Sequence, residues 1–211
     1  MLTYSIFAQP PFDSEELEII LFIGIIFLVF YALVKGLNRP TARQHPWFDL
    51  AARAGLSFDP GKLLGLGPIV TGKYHEHELF LRTLTRGSKN KVFTHILMDI
   101  TNKSNLYLLL YDEQTQSKIA NRLGARLIKT GDDTFDDRFV IVGQPEILAV
   151  NLLSNANLRE KLLQARLLNI EIYDQNLHYE RIDEETDINY LLFLFDLLDE
   201  IAENVEILNN R

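Results

Sequence analysis

The chain has 211 residues and a mass of 24.3 kDa, room for one anchored domain of ordinary size and not for two. At 47% hydrophobic and 24% charged residues it has a globular balance, which excludes a disordered chain and a polytopic membrane bundle. Its net charge is -8, and with no cysteine it has no disulfides, zinc–thiolate sites, iron–sulfur clusters or thiol chemistry.

From Ile19 to Val34 the chain reads IILFIGIIFLVFYALV, a run without a charge. Extended by Leu17 and the aliphatic stem of Lys35, it spans about 27 Å as a helix, enough for the hydrocarbon of a thin bilayer. The run is apolar all round, whereas a helix packed on a soluble core carries a polar stripe. The expectation is one transmembrane helix over residues 17–36, carried by Ile19, Ile20, Phe22, Ile23, Ile26, Phe27, Phe30 and Tyr31. The flank before it holds Asp13, Glu15, Glu16 and Glu18 with no Lys or Arg, and no small-residue cleavage site follows, so the segment reads as retained. Lys35, Arg39 and Arg43 follow the run. The positive-inside bias then places residues 1–16 outside and the C-terminal part in the cytoplasm.

Residues 37–46, with Pro40 and Pro46, form a linker to a cytoplasmic domain over 47–211. Trp47–Gly55 reads as a short helix stopped by glycine, and Trp47 and Phe48 suit the headgroup layer and packing on the domain equally well. Ile69–Arg86 and Lys91–Thr101 read as strands around an Arg86–Asn90 turn, and Leu106–Tyr111 as a buried strand after a turn at Asn102–Asn105. Next come a short helix at Gln116–Leu123 ended by Gly124, strands at Leu127–Lys129 and Arg138–Gly143, and one or two helices within Pro145–Arg166. Leu168–Tyr173 and Asn176–Arg181 form a hairpin about Asp174-Gln175. Asp187–Leu208 carries apolar residues at a sustained spacing of three to four, capped by Thr186 or Asp187. Its stretch YLLFLF predicts burial between layers, with contact to a partner as the alternative. The fold class is α+β: the N-terminal transmembrane helix, then a mainly antiparallel sheet with helices packed on one side.

Charge is unevenly spread. Lys35 to Lys129 contains 15 Lys and Arg against 7 Asp and Glu, while Ile170 to Arg211 contains 12 acidic residues against 2 basic. Arg82, Arg86, Lys89 and Lys91 around one hairpin turn, with Lys35, Arg39 and Arg43, suit anionic headgroups, at about 1 kcal/mol per cation near the surface, or an acidic partner. On the last helix Asp196, Asp199, Glu203 and Glu206 share a face with no Lys or Arg four residues away. That face is either solvated or a docking stripe for a basic partner. Net acidity and the lack of an interleaved basic–aromatic track argue against nucleic acid.

Gly67 to Lys73 fits the start of a phosphate-binding G-x-x-x-x-G-K loop, but Tyr74 replaces the required Ser or Thr and strand-like residues follow, so nucleotide binding is rejected. His75 and His77 share a face if this stretch is a strand. With His95 on the next strand they form a candidate three-nitrogen metal site, against the plainer reading of solvent-facing polar side chains. The Asp132–Asp137 cluster offers carboxylates to a hard cation or to acid–base chemistry. Its competing reading is a capped turn whose Asp side chains accept from backbone N–H groups while Phe135 and Phe139 bury. No G-x-S-x-G elbow is present, and no catalytic residue or cofactor is assigned.

Gly72-x-Tyr74, Thr94, and the run Thr130-Gly131-Asp132 with Phe135-Asp136-x-x-Phe139 and Gly143 resemble uncharacterised bacterial single-pass membrane proteins with a soluble α+β domain, and the anchor followed by such a domain resembles the cyanobacterial ones. The resemblance covers residues 45–208 and implies a class and a plasma or thylakoid membrane, with no functional residue. The expected function is a non-enzymatic accessory or assembly protein that presents an interaction domain at the cytoplasmic membrane face, its partners being the bilayer and a membrane protein or complex. The competing expectation is a metal-dependent enzyme or metal sensor using His75, His77 and His95 or the Asp132–Asp137 cluster. A third is a structural subunit of a membrane complex.

Overall fold

A computed structural model describes residues 22–31, 45–61, 67–112, 127–166 and 169–209. The chain divides into two units, Met1–Thr41 and Ala42–Arg211. In the first, residues 22–31 form helix α1, whose large apolar side chains, Phe22 through Tyr31, are all exposed. Ten residues extend about 15 Å. Among the described residues no helix is long and apolar enough to cross a membrane. The remainder of the expected 17–36 span, with Lys35, Arg39 and Arg43, lies outside the described residues, as does the expected helix at 116–123.

The second unit opens with α2 (Pro46–Ala54). The ring of His45 accepts the Trp47 backbone N–H at 3.2 Å, proline starts the helix, and Gly55 ends it in the left-handed region at φ 70. Trp47 is fully buried and its indole N–H donates to the Glu185 carbonyl at 2.8 Å. Of its two readings, packing on the domain is the one realised. Phe48 stays partly exposed, edge-on to Phe58.

Strands β1 (Ser57–Asp59), β2 (Ile69–Tyr74), β3 (His77–Arg86), β4 (Lys91–Asp99), β5 (Tyr107–Asp112), β6 (Phe139–Gln144), β7 (Asn169–Tyr173) and β8 (Asn176–Ile182) build one antiparallel sheet in the order β1-β2-β3-β4-β8-β7-β5-β6. The expected long strand over 69–86 is two strands, because the chain reverses at His75-Glu76 with His75 at φ 49. Leu127–Lys129 is not a strand. Ile128 makes one backbone hydrogen bond to Ile141, at 2.9 Å, and then gives way to a turn. The late β7–β8 hairpin slots between β4 and β5, so the meander of neighbours is interrupted there.

Alternation along the strands puts Leu79, Leu81, Ile96, Met98, Leu108, Leu110, Ile170, Ile172, Leu177 and Tyr179 on one face, in one core with the helices. The helices are α3 (Asp133–Arg138), α4 (Glu146–Leu153), α5 (Ala156–Gln164) and α6 (Ile188–Leu208). α6 starts at Asp187, whose carboxylate accepts from the Asn189 and Tyr190 backbone N–H groups. Within its YLLFLF stretch Tyr190, Leu191, Leu194 and Phe195 are buried and Leu192 and Phe193 half-buried, so the segment lies between layers as expected.

The Asp132–Asp137 cluster is a capped turn. Asp132 accepts the Phe135 N–H at 3.2 Å, and Asp136 accepts from the backbone N–H and hydroxyl of Thr130 and from the Gly131 N–H. Those bonds hold the Asp136 carboxyl below its usual range, although its partial burial acts the other way. Phe135 and Phe139 are buried with ring centroids 4.8 Å apart. The last residue of that motif, Gly143, is small for a steric reason: a Cβ there would lie 2.6 Å from the Ala149 Cβ and 3.3 Å from the Tyr107 carbonyl oxygen. Gly143→Ala is therefore expected to destabilise the domain by about 1–3 kcal/mol. Urea unfolding of the full chain in neutral detergent checks this, and an unchanged midpoint would remove the steric account.

Candidate functional site

The hairpin reversal between β2 and β3 sends Tyr74, His75 and His77 toward α6, where the acidic residues of that helix meet them. Asp199 lies between the two histidines: His75 Nδ1 is 2.6 Å from one carboxylate oxygen and His77 Nδ1 2.7 Å from the other. Tyr74 donates its hydroxyl to Asp196 at 2.5 Å. Next along the helix, Glu206 accepts the Thr101 backbone N–H at 3.0 Å and lies 3.5 Å from His77 Nε2. Asp199 and His77 are buried, while the His75 side chain is 61% exposed.

These groups sit beside a cleft of about 780 Å³ between α5 and α6, lined by His75, Asp196, Asp199, Glu200, Glu203 and, from α5, Glu160 and Lys161. Lys161 pairs with Glu200. The field is strongly negative, and the titrations respond to it. The hydrogen bond to Asp199 raises His75 above its ordinary value of 6.5, opposed by desolvation and helped by the charges of Asp199, Asp196 and Glu203. Tyr74 is raised by burial first and then by its bond to Asp196.

Such an array attracts and orients a cation. For a hydrolytic triad, a His–Asp pair must offer its second ring nitrogen to a hydroxyl or thiol, and that of His77 faces Glu206 instead. The candidate three-histidine site of His75, His77 and His95 is not assembled: His95 lies apart from the other two. His95 pairs with Arg82 in the register and points to the opposite face of the sheet, where its Nε2 meets His178 Nδ1 at 3.2 Å. Period-two alternation is the reason: the cleft-facing positions of β3 are odd-numbered, and their partners on β4 are even-numbered. Among the described residues no group of three or more metal-ligating side chains is placed to hold an ion.

The acidic stripe is divided in use. Asp199 is internal and holds two histidines, Glu206 caps a loop N–H, and Asp196 and Glu203 remain exposed at the cleft. The basic hairpin is divided too. Lys89 and Lys91 are exposed at its tip, Arg86 pairs with Glu180 at 2.7 Å, and Arg82 lies over the Phe80 ring. Sequence reasoning missed Glu200, although positions 196, 199, 200 and 203 are helical neighbours. It also missed Tyr74, Glu160, Lys161 and His178, whose placement depends on strand register and helix packing that leave no local signal.

No family model and no curated protein matches the chain. Among solved structures it is similar to a mycobacterial trehalose monomycolate transport factor A, TtfA, at 10% identity and a TM-score of 0.47, over 72% of this chain and 92% of that one. A likeness of that degree carries no argument about activity.

Because the His75 value is raised, its pairing with Asp199 stabilises the fold fully below pH 6.5 and is lost as pH rises through the raised value. By NMR, the His75 ring should titrate above 6.5 in the full chain and return toward 6.5 in Asp199→Asn. An identical midpoint in both proteins would dissolve the assigned pair.

Proposed function

We propose that the protein is a non-enzymatic, membrane-tethered accessory factor. One apolar N-terminal helix over residues 17–36 crosses the bilayer, residues 1–16 lie outside, and the domain over 47–211 meets partners at the cytoplasmic face. The observation that carries this reading is α1, where every large apolar side chain from Phe22 to Tyr31 is between 51% and 74% exposed. A run of that length left in water is costly, and lipid is the cover that suits a helix apolar on all sides. In the sequence the charge-free run that contains α1 extends from Ile19 to Val34.

Within this reading the acidic cleft receives a basic segment of a membrane partner. Asp196, Glu200, Glu203 and Glu160 supply the field, and Asp199 and Glu206 hold the wall in place from within. Tethering lets such contacts remain individually modest, because confinement to a surface raises the effective concentration of both partners. What weighs against the metal-dependent alternative is that His95 lies on the opposite face of the sheet from His77 and that the Asp136 carboxylate accepts from backbone donors.

Two experiments bear on this. The full chain should sediment with membranes and resist alkaline carbonate, and deletion of residues 17–36 should release a folded domain; extraction of the intact chain by carbonate would end the tether reading. After gentle crosslinking in membranes, Asp196→Lys combined with Glu203→Lys should cut recovery of the crosslinked membrane partners several-fold. Equal recovery from both proteins would remove the cleft from the docking role.

A further inference from the structure

The face of the sheet turned away from α6 carries a second polar site, independent of the tether and of the acidic cleft. The register sets Arg82 of β3 beside His95 of β4, His95 beside Glu180 of β8, and His178 of β8 beside Glu171 of β7. Together with Arg86 they line a pocket of about 410 Å³. Its carboxylates are already engaged: Glu180 pairs with Arg86 at 2.7 Å and Glu171 takes a hydrogen bond from Tyr107.

Two groups are left over. Arg82 has no ion pair or hydrogen bond among the described residues, and its Nε is buried. His95 is 6% exposed, and its Nδ1 is likewise buried without a partner. One hydrogen bond joins the rings of His95 and His178, so of His95 Nε2 and His178 Nδ1 one donates and the other accepts. When His178 donates, the neutral His95 carries its proton on Nδ1; when His95 donates, its Nδ1 is an acceptor. Burial and the Arg82 charge keep His95 neutral, its value brought down to about 4, and burial also lowers His178. A guanidinium without a carboxylate partner, beside two imidazoles able to take up protons, suits an anion with several acceptor oxygens.

We propose that this pocket binds a phosphate group, with the Arg82 guanidinium on two of its oxygens and the His95–His178 imidazole pair beside it. A phosphate brings more acceptor oxygens and a larger negative charge to these groups than a carboxylate does. The pocket is several times the volume of the phosphate group itself, so the group arrives attached to something larger, either a phospholipid headgroup or a soluble phosphate ester. The charged and titratable groups around the two imidazoles are Arg82 and Arg86 from β3, Glu171 and Tyr173 from β7, and Glu180 from β8. An added dianion among them favours imidazolium, so occupancy and histidine protonation are linked.

The test uses the full chain in neutral detergent micelles, with the ring protons of His95 and His178 followed by NMR through a pH titration. Inorganic phosphate, against chloride at equal ionic strength, is expected to raise both midpoints by about one pH unit. Arg82→Gln should weaken phosphate binding about tenfold or more. Glu180→Gln, which releases Arg86 into the pocket and removes a carboxylate, should tighten it several-fold. A second arm places the chain in nanodiscs of phosphatidylcholine with and without phosphatidic acid. Midpoints raised by dissolved phosphate assign a soluble ester, and midpoints raised only in the phosphatidic acid discs assign a headgroup. The proposal is overturned if neither source moves the midpoints, or if Arg82→Gln binds phosphate as the unaltered chain does.

Discussion

The structure depends on the burial of one helix. α6 presents apolar side chains on most of its circumference, and Leu191, Leu194, Phe195, Leu197, Leu198, Ala202 and Val205 have no exposed surface at all. A helix of that kind is stable only when covered from more than one side. Here the sheet takes one side and α2, α4 and α5 take the others within a single core. Trp47 shows how tightly the cover is drawn: a residue suited to a membrane interface is fully buried, its indole N–H spent on the Glu185 carbonyl just before α6 begins.

What burial leaves over on α6 defines the acidic cleft. Asp196, Glu200 and Glu203, left outside the core, form its polar strip together with the buried Asp199, and the β2–β3 reversal brings Tyr74, His75 and His77 against it. Asp199 therefore has a structural role as well as an electrostatic one. It ties a hairpin turn to the central helix through two imidazoles, one of them buried, in a place where an unpaired carboxylate would be costly. The remaining acids face outward, which is the arrangement a cationic partner would meet.

The sheet separates two electrostatic regions. Its α6 side is acidic at the cleft, and its far side holds Arg82, Arg86 and two histidines depressed by burial. A domain with surfaces of opposite character can engage two partners at once without either competing for the other's site.

The sequence by itself determined much of this chain. Local periodicity and turn chemistry set α2 with its glycine stop, the β7–β8 hairpin at Asp174-Gln175, the extent and cap of α6, and the burial of its YLLFLF stretch. Side-chain chemistry over a few residues also made the Thr130–Phe139 segment legible as a capped turn. Tertiary structure alone decided the rest. His75 and His77 looked like neighbours on a strand and are instead a turn residue and a strand residue that converge on Asp199, 122 to 124 positions later in the chain. His95 looked like their third partner and belongs to the other face with His178, because strand register assigns each residue to one side of the sheet and no local sequence signal records which pairing of distant strands sets that register.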